Sequence, residues 1–470
     1  MKTAKQFIDM FGIFLVLVLC FSLFTAKSAA QSSSSGKLAK TAKGKPSPTP
    51  TPVPTPTPPA DTKCYSGSGC IDATFGINGV RMLPGESMEA SALQADGKII
   101  AVGHGLGAEG LADAIIVRLN PDGSLDNTFG AVDPNNPFVR LGYKYEDVEL
   151  KNRGFAVAIQ SDGRIIVGGT RVDSGSVLWT IIRLEPNGDR DTTFGDNGVV
   201  RSNISTIFRG IAVQSDGRIV VGGGAWVARY NYDGSLDTTF GGTGAIDLGG
   251  LVSSSSLLIH VINGEERILL GGYQTVQNLR KGRVTTHNEF SVVRLTPNGQ
   301  LDSTFGLGGK ANAFFGYTDT MQGMALDGNN RIVAGGIVGT AGPQAAGVAR
   351  FNENGSLDLT FGSGTGKVLT IVNGFRTTSQ HVLIQSDGKI VSVGYSDTAV
   401  NGSNLTLIRH NSDGTRDATF GPGTLGTGIV TADVTEGAIE FGLTGVMLQD
   451  GTIAAGGYTG GRSFFTKYAP

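Results

Sequence analysis

The sequence predicts an all-β chain folded as a seven-bladed β-propeller, with four short strands in each blade. Three observations point there. An Asp-x-Thr-Phe-Gly motif recurs with its Phe at 75, 129, 194, 240, 305, 361 and 420, and self-similarity at such a spacing marks a repeat architecture. A short apolar strand closed by Gly recurs in step, over residues 99–103, 165–169, 219–223, 268–272, 332–336, 390–394 and 453–457. Gly supplies 72 of the 470 residues and charged residues only 17%, a balance that suits tight turns between short strands better than helices.

One unit shows the order of elements. Residues 92–94 form a first short apolar strand, and Asp96-Gly97 turns the chain. Gly accepts positive φ there and Asp tolerates it, so Asp-Gly between apolar runs is a strong hairpin signal. Residues 99–103 give the second strand, 115–119 the third, and Asn120-Pro121-Asp122-Gly123 the next turn. The motif follows, and then a fourth strand, as Gly198-Val199-Val200 illustrates in the second unit. Four mostly apolar strands fit a small sheet packed between two like sheets.

The two ends of the repeat array are complementary. Residues 463–468 complete a third strand with no motif after it, while a spare motif at 71–80 has no strands before it. Pairing of residues 72–82 with 463–468 would close a ring and remove two exposed sheet edges. A linear β-solenoid is the alternative, and it gives no reason for this offset.

A basic residue ends each third strand: Arg118, Arg183, Arg229, Arg294, Arg350, Arg409 and Lys467. Asp126, Asp191, Asp237, Asp302, Asp358 and Asp417 follow the six arginines by eight residues, across a hairpin turn where a bidentate pair is expected. Lys467 lacks a downstream Asp, and Asp72 takes that place if the ring closes. The motif Phe is expected to plug the core between blades.

The pattern Asp-Gly-Lys/Arg-Ile…Gly-Gly…Arg-Leu-Asn-x-Asp-Gly-Ser-Leu-Asp-x-Thr-Phe-Gly resembles the bacterial delta-60 repeat across roughly residues 71–468. The resemblance implies an exported β-propeller from a family of unknown function, and it carries no catalytic residues. Unit four (Asn263-Gly264-Glu265-Glu266-Arg267) and unit five (Asp327-Gly328-Asn329-Asn330-Arg331) depart from it at lengthened turns.

The chain ahead of the repeats reads as export machinery. Lys2 and Lys5 precede an almost wholly apolar run at 11–26, and Ser28-Ala29-Ala30 offers a cleavage site. That run is short for a bilayer span of roughly 20 residues, so residues 1–30 are expected to be a signal peptide, leaving no membrane span after cleavage. Residues 31–63 are a Ser-, Lys-, Pro- and Thr-rich linker whose alternating Pro favours a semi-rigid polyproline spacer. Secretion, the cell surface or the periplasm is the expected location. Cys64 and Cys70 remain after cleavage, and an oxidising compartment favours a local disulfide between them.

The first 63 residues hold eight of the 38 basic residues and two of the 40 acidic ones, leaving 30 against 38 in the propeller at 64–470. No basic footprint for nucleic acid results. The five histidines, His104, His260, His287, His381 and His410, fall in five different units without metal-ligand spacing. No nucleophile elbow, His-Glu-x-x-His or phosphate loop occurs. The Asn-x-Asp-Gly-Ser turns invite a calcium reading, but turn chemistry accounts for the same residues, and no cofactor is expected.

Asp-Gly turns fall on one face of the ring, and loops of variable length fall on the other, where binding is expected. Two variable stretches stand out there. Residues 131–153 carry Tyr143 and Tyr145; residues 273–289 carry Tyr273, Arg280, Lys281, Arg283 and His287. Aromatic rings beside amides and charges suit a glycan, a peptide or a protein partner at the cell envelope. The preferred expectation is a binding module. The alternative is a polysaccharide hydrolase or lyase with carboxylates in the central funnel.

Overall fold

The computed structural model describes residues 68–106, 112–133, 136–146, 153–280, 283–399, 402–421, 427–435 and 438–470. The expected signal segment, the linker, Cys64 and Lys281 lie outside these residues. Cys70 is buried.

Seven antiparallel four-stranded sheets form the blades. Blade one, from its first strand outward, is Ser87–Leu93, Ile99–Leu106, Ala112–Leu119 and Tyr143–Glu146. Blades two to six repeat that order and begin at Arg153–Ile159, Gly210–Val213, Ser253–Ile262, Asp319–Leu326 and His381–Ile384. Blade seven takes Glu440–Met447, Ile453–Thr459 and Arg462–Tyr468, and its outer strand is Val80–Leu83 from the other end of the chain. The first strand of every blade touches the first strands of both neighbours, so the ring is closed around a central channel.

The closing register sets Val80 against Thr466 and Leu83 against Ser463. Ahead of it, Asp72 N donates to Lys467 O at 2.8 Å and Gly69 N to Ala469 O at 3.0 Å. Blade seven therefore contains a hairpin whose two strands come from opposite ends of the array.

All seven motif Phe rings are fully buried, each against the next blade. The turn glycine of the following blade lies directly over the ring. Gly123, at φ +80°, would bring a Cβ within 2.9 Å of Phe75, so no larger residue fits. At the end of the array Gly69 covers Phe420 in the same manner. Around this plug sits the repeated Arg–Asp unit. Arg118 Nε lies 2.7 Å from Asp126 Oδ2. The corresponding distances are 2.6 Å for Arg183–Asp191, 2.7 Å for Arg229–Asp237, 2.8 Å for Arg294–Asp302, and 2.7 Å for both Arg350–Asp358 and Arg409–Asp417. Lys467 Nζ lies 3.2 Å from Asp72.

The expected bidentate geometry is replaced by a branched one. Only Nε meets the carboxylate, because the other Asp oxygen already accepts from the motif Thr, as Asp126 Oδ1 does from Thr128 N and Oγ1 at 3.0 and 2.7 Å. The freed Nη1 of Arg118 reaches Pro186 O in the next blade at 2.5 Å, and its guanidinium lies 4.6 Å above the Phe129 ring. The repeated Arg thus ties two blades together.

Two stretches expected as loops are strands. Tyr143–Glu146 is the outer strand of blade one, delayed by a short hairpin of Val132–Asp133 with Asn136–Arg140. Residues 273–289 extend the two middle strands of blade four, Glu265–Arg280 and Arg283–Leu295, into a long hairpin. Leu279 and Val284 stand opposite each other in that ladder, and both are exposed. No helix among the described residues is long and apolar enough to cross a membrane.

Candidate functional site

Within or just before the first strand, each blade sets a matching residue on a channel cavity of about 290 Å³: Glu89, Phe155, Arg209, Ser255, Gln322, Gln380 and Leu443. In blades one, two, four, five and seven that residue is the extra one of a β-bulge. A bulge re-aims one side chain out of the alternation. The glycine of the second strand permits the close approach of the first strand there. A Cβ on Gly103 would meet Ser87 O at 1.9 Å, and the second-strand glycines of the other blades stand equally close to the partner backbone.

None of these channel residues was singled out in the sequence, yet a positional signal marks them. Each precedes the closing glycine of its second strand by 14 residues, or by 17 in unit four with its longer turn. The position recurs while the residue type changes, which is the pattern of a lined site on a constant scaffold.

Electrostatics in the channel are mixed. Glu89 is crowded, and burial raises its pKa, although Ser87 Oγ donates to it at 2.8 Å. His104 Nδ1 stands 3.7 Å from Glu89, but burial and the Arg153 charge push His104 down to about 4, so the imidazole is neutral at physiological pH. His381 is likewise pushed to about 4 by its crowded surroundings. Arg209 remains exposed inside the channel and lies 5.5 Å from the centre of the Phe155 ring. Glu89 is the only carboxylate residue among those lining this cavity.

An aromatic rim stands at the loop-face mouth. Phe441, two residues before Leu443, stacks on Tyr458 at 4.7 Å and meets Tyr395 edge-on at 4.7 Å. Arg376 covers Tyr395 at 5.2 Å while held by Asp397 at 3.1 Å. All three rings are half-buried. Burial, with Glu89 and Tyr395 nearby, pushes the Tyr458 phenol up to about 12, so it stays a neutral hydrogen-bond donor. Rings with free edges beside amides and a guanidinium can stack on flat apolar faces and bond hydroxyls at once.

Of the residues chosen from the sequence, only Tyr273 lies beside the channel, where it lines a second cavity with Arg209. Tyr143 and Tyr145 sit on the outer strand of blade one, three strands from the channel, and Tyr143 packs on the core. His287 lies on the blade-four hairpin, bonded to Glu289 at 2.9 Å and Asn278 at 3.1 Å and stacked on Phe314 at 4.3 Å. Arg280 and Arg283 are partners in the backbone register at that hairpin's end. The structure thus gathers Tyr273 into the channel mouth and leaves the other described residues of the set on two separate outer surfaces. Among the described residues no group of three or more His, Cys, Asp or Glu side chains is placed to hold a metal ion. The turn carboxylates are engaged locally, as Asp122 Oδ1 accepts from Ser124 N and Oγ at 2.9 and 2.7 Å.

These features define a seven-bladed β-propeller with a side chain from every blade in its channel. Six segments of the chain, residues 94–129, 160–194, 214–240, 267–305, 328–361 and 385–420, match the family model described as a domain of unknown function (DUF5122) β-propeller. Each of them ends on a motif Phe. No curated protein matches the chain. Among solved structures, virginiamycin B lyase from Staphylococcus aureus aligns at 10% identity and a TM-score of 0.47, over 83% of this chain and 99% of that one. Drosophila Semaphorin 1b, extracellular domains 1-2, aligns at 9% and 0.41, over 86% and 88%. The polysaccharide lyase Uly1 aligns at 10% and 0.40, over 87% and 94%. Proteins of such varied function transfer no ligand or reaction to this chain.

Proposed function

We propose that this chain is an exported recognition module, of the delta-60 repeat type, that binds a glycan at the loop-face mouth of its channel. The observation that supports it most is the half-open rim of Tyr395, Phe441 and Tyr458 on blades six and seven, with Arg376 over Tyr395; the channel adds the polar side chains of Arg209, Ser255, Gln322 and Gln380. Sugar rings offer flat apolar faces for stacking and hydroxyls for amide and guanidinium groups. The apolar N-terminal run and the Pro-rich stretch after it support a position at the cell surface or in the periplasm. A two-carboxylate glycosidase is a weaker fit, because such sites pair two acids across the scissile bond and Glu89 stands alone in the described lining.

The test is a thermal-shift screen of the full chain against neutral and acidic oligosaccharides, wall fragments, calcium and quinones. Oligosaccharides are expected to raise Tm, with the shift lost in Tyr458→Ala. A shift from calcium or quinone alone, or a sugar shift indifferent to Tyr458, would reject the glycan reading.

A further inference from the structure

On the reading that the channel mouth binds a glycan, we propose that the cavity beside Arg209 takes the carboxylate of an acidic sugar unit. This cavity, of about 250 Å³, is framed by blades three, four and five and opens off the channel. Its size, at the lower end for small-ligand sites, suits one sugar ring.

Arg209 lines both this cavity and the channel cavity. The repeated arginines each meet an Asp within 3 Å. Arg209 by contrast makes no side-chain hydrogen bond or ion pair among the described residues. Its cation lies over Phe155 and attracts Glu89 across the channel at longer range, while the second cavity that it lines contains no carboxylate residue. Glu89, the nearest acid in the ring order, lies beyond Phe155 and lines only the channel cavity.

Besides three serines, four polar side chains line the same space: Thr206, Tyr273, Thr320 and Gln322. None of the four makes a side-chain hydrogen bond among the described residues. A cavity with one unpaired guanidinium and four uncommitted hydroxyl or amide groups is arranged for an anion that also carries hydroxyls. The planar guanidinium fork matches a carboxylate in two parallel hydrogen bonds. Crowding lowers the Arg209 pKa in the free protein, and a bound carboxylate would offset that cost.

The experiment is calorimetric titration of the full chain with tetragalacturonate, with the same oligomer reduced at its carboxyl groups, and with a sulfated galactan oligomer. Tetragalacturonate is expected to bind about tenfold or more tightly than the reduced form, as loss of a charge-assisted pair implies. Arg209→Gln should bring tetragalacturonate down to the level of the reduced form and leave the latter unchanged, with Tm intact. Arg209→Lys, which keeps the charge and loses the fork, should fall between. Equal binding of acid and reduced forms, or no effect of Arg209→Gln, overturns the carboxylate assignment and leaves the glycan reading standing. Tighter binding of the sulfated oligomer also overturns it. Binding of none of the three overturns both.

Discussion

Five joints of the ring and the two that flank blade seven are built from the same parts but fastened differently. At an ordinary joint Arg350 is wholly buried: Nε lies 2.7 Å from Asp358, Nη1 donates to Ser412 O in the next blade, and the cation covers Phe361 at 4.6 Å. Arg331 adds a second cation to the same carboxylate at 3.0 Å. At the joint into blade seven, Arg409 reaches Ser68 Oγ at 2.6 Å, since the turn that would supply a carbonyl is split between two chain segments. A cavity of about 590 Å³ lies there, lined by Ser68, Arg409 and Pro470. At the joint out of blade seven, Lys467 holds Asp72 at 3.2 Å and Asp450 at 3.5 Å, and no side-chain bond of Lys467 to blade one occurs among the described residues. The contrast teaches that five joints share an arginine tie to the next blade's turn carbonyl, whereas the seam combines other side-chain contacts with backbone pairing across one short strand.

The largest break in that contrast should come from deleting residues 64–82. The deletion removes the outer strand of blade seven, the Asp72 partner, Gly69 over Phe420 and the buried Phe75. Cooperative unfolding should be lost or Tm should fall steeply, and an unchanged Tm would show that the ring does not depend on its seam. Next in size are single substitutions at matched positions. Arg350→Ala removes the bond to Ser412 O and the cation over Phe361 and leaves Asp358 to Arg331 and Thr360, at about 2 kcal/mol or more. Lys467→Ala, at a better solvated pair, should cost about 1 kcal/mol or less. Urea midpoints measure both, and equal losses would erase the distinction between joints.

The blade was legible in the sequence because its parts are repeated seven times and each is local. Asp-Gly turns, the Arg and Asp eight residues apart and the buried Phe need only one hairpin to meet. The outer strand of blade one was not legible. Tyr143–Glu146 follows an inserted hairpin, and its aromatic content resembles that of a binding loop although Tyr143 packs on the core. The channel site was hidden for the opposite reason. Glu89, Phe155, Arg209, Ser255, Gln322, Gln380 and Leu443 share a position and no chemistry, so composition and motif searches pass over them. They converge only once the seven first strands, five of them bulged, are closed into a ring.

A pH comparison separates the buried Glu440 of blade seven from the motif carboxylates. Glu440, at the start of its first strand, is fully buried, takes Thr435 N at 2.7 Å, and has one oxygen without a hydrogen-bond partner. Burial first, and the Asp433 charge after it, push this carboxyl up to about 8. A folded-state pKa above the unfolded one means full stability below the unfolded value and loss as pH rises toward 8. Glu440→Gln should therefore gain Tm over the parent at pH ~9 and none at pH ~4, by roughly a few kcal/mol at most. The motif carboxylates behave with the opposite sign. Hydrogen bonds from Thr360 and the Arg350 charge outweigh burial to hold Asp358 below its ordinary value, so its contribution is lost as pH falls below that range. A Glu440→Gln gain that is flat across pH would reject the titration account.

The smallest effect expected is also the most direct test of the comparison, since it rebuilds the missing tie. At the five ordinary joints the guanidinium reaches the carbonyl two residues before the next blade's turn glycine, as Arg118 reaches Pro186 O ahead of Gly188. Blade one presents the same arrangement to Lys467: Gly123 covers Phe75, and Pro121 stands two residues before it. Lys467→Arg should place Nε on Asp72, an Nη on Pro121 O and the cation over Phe75. One charge-assisted hydrogen bond and one cation–π contact, less the entropy of fixing the side chain, should stabilise the fold by about 1 kcal/mol. Repeating the substitution with Asp72→Asn separates the two contributions, because the contact with Pro121 and Phe75 does not require the carboxylate charge. A gain that survives Asp72→Asn assigns the tie to the blade-one turn. A loss of stability in Lys467→Arg alone would mean that the split hairpin holds blade seven in a geometry the other joints do not share.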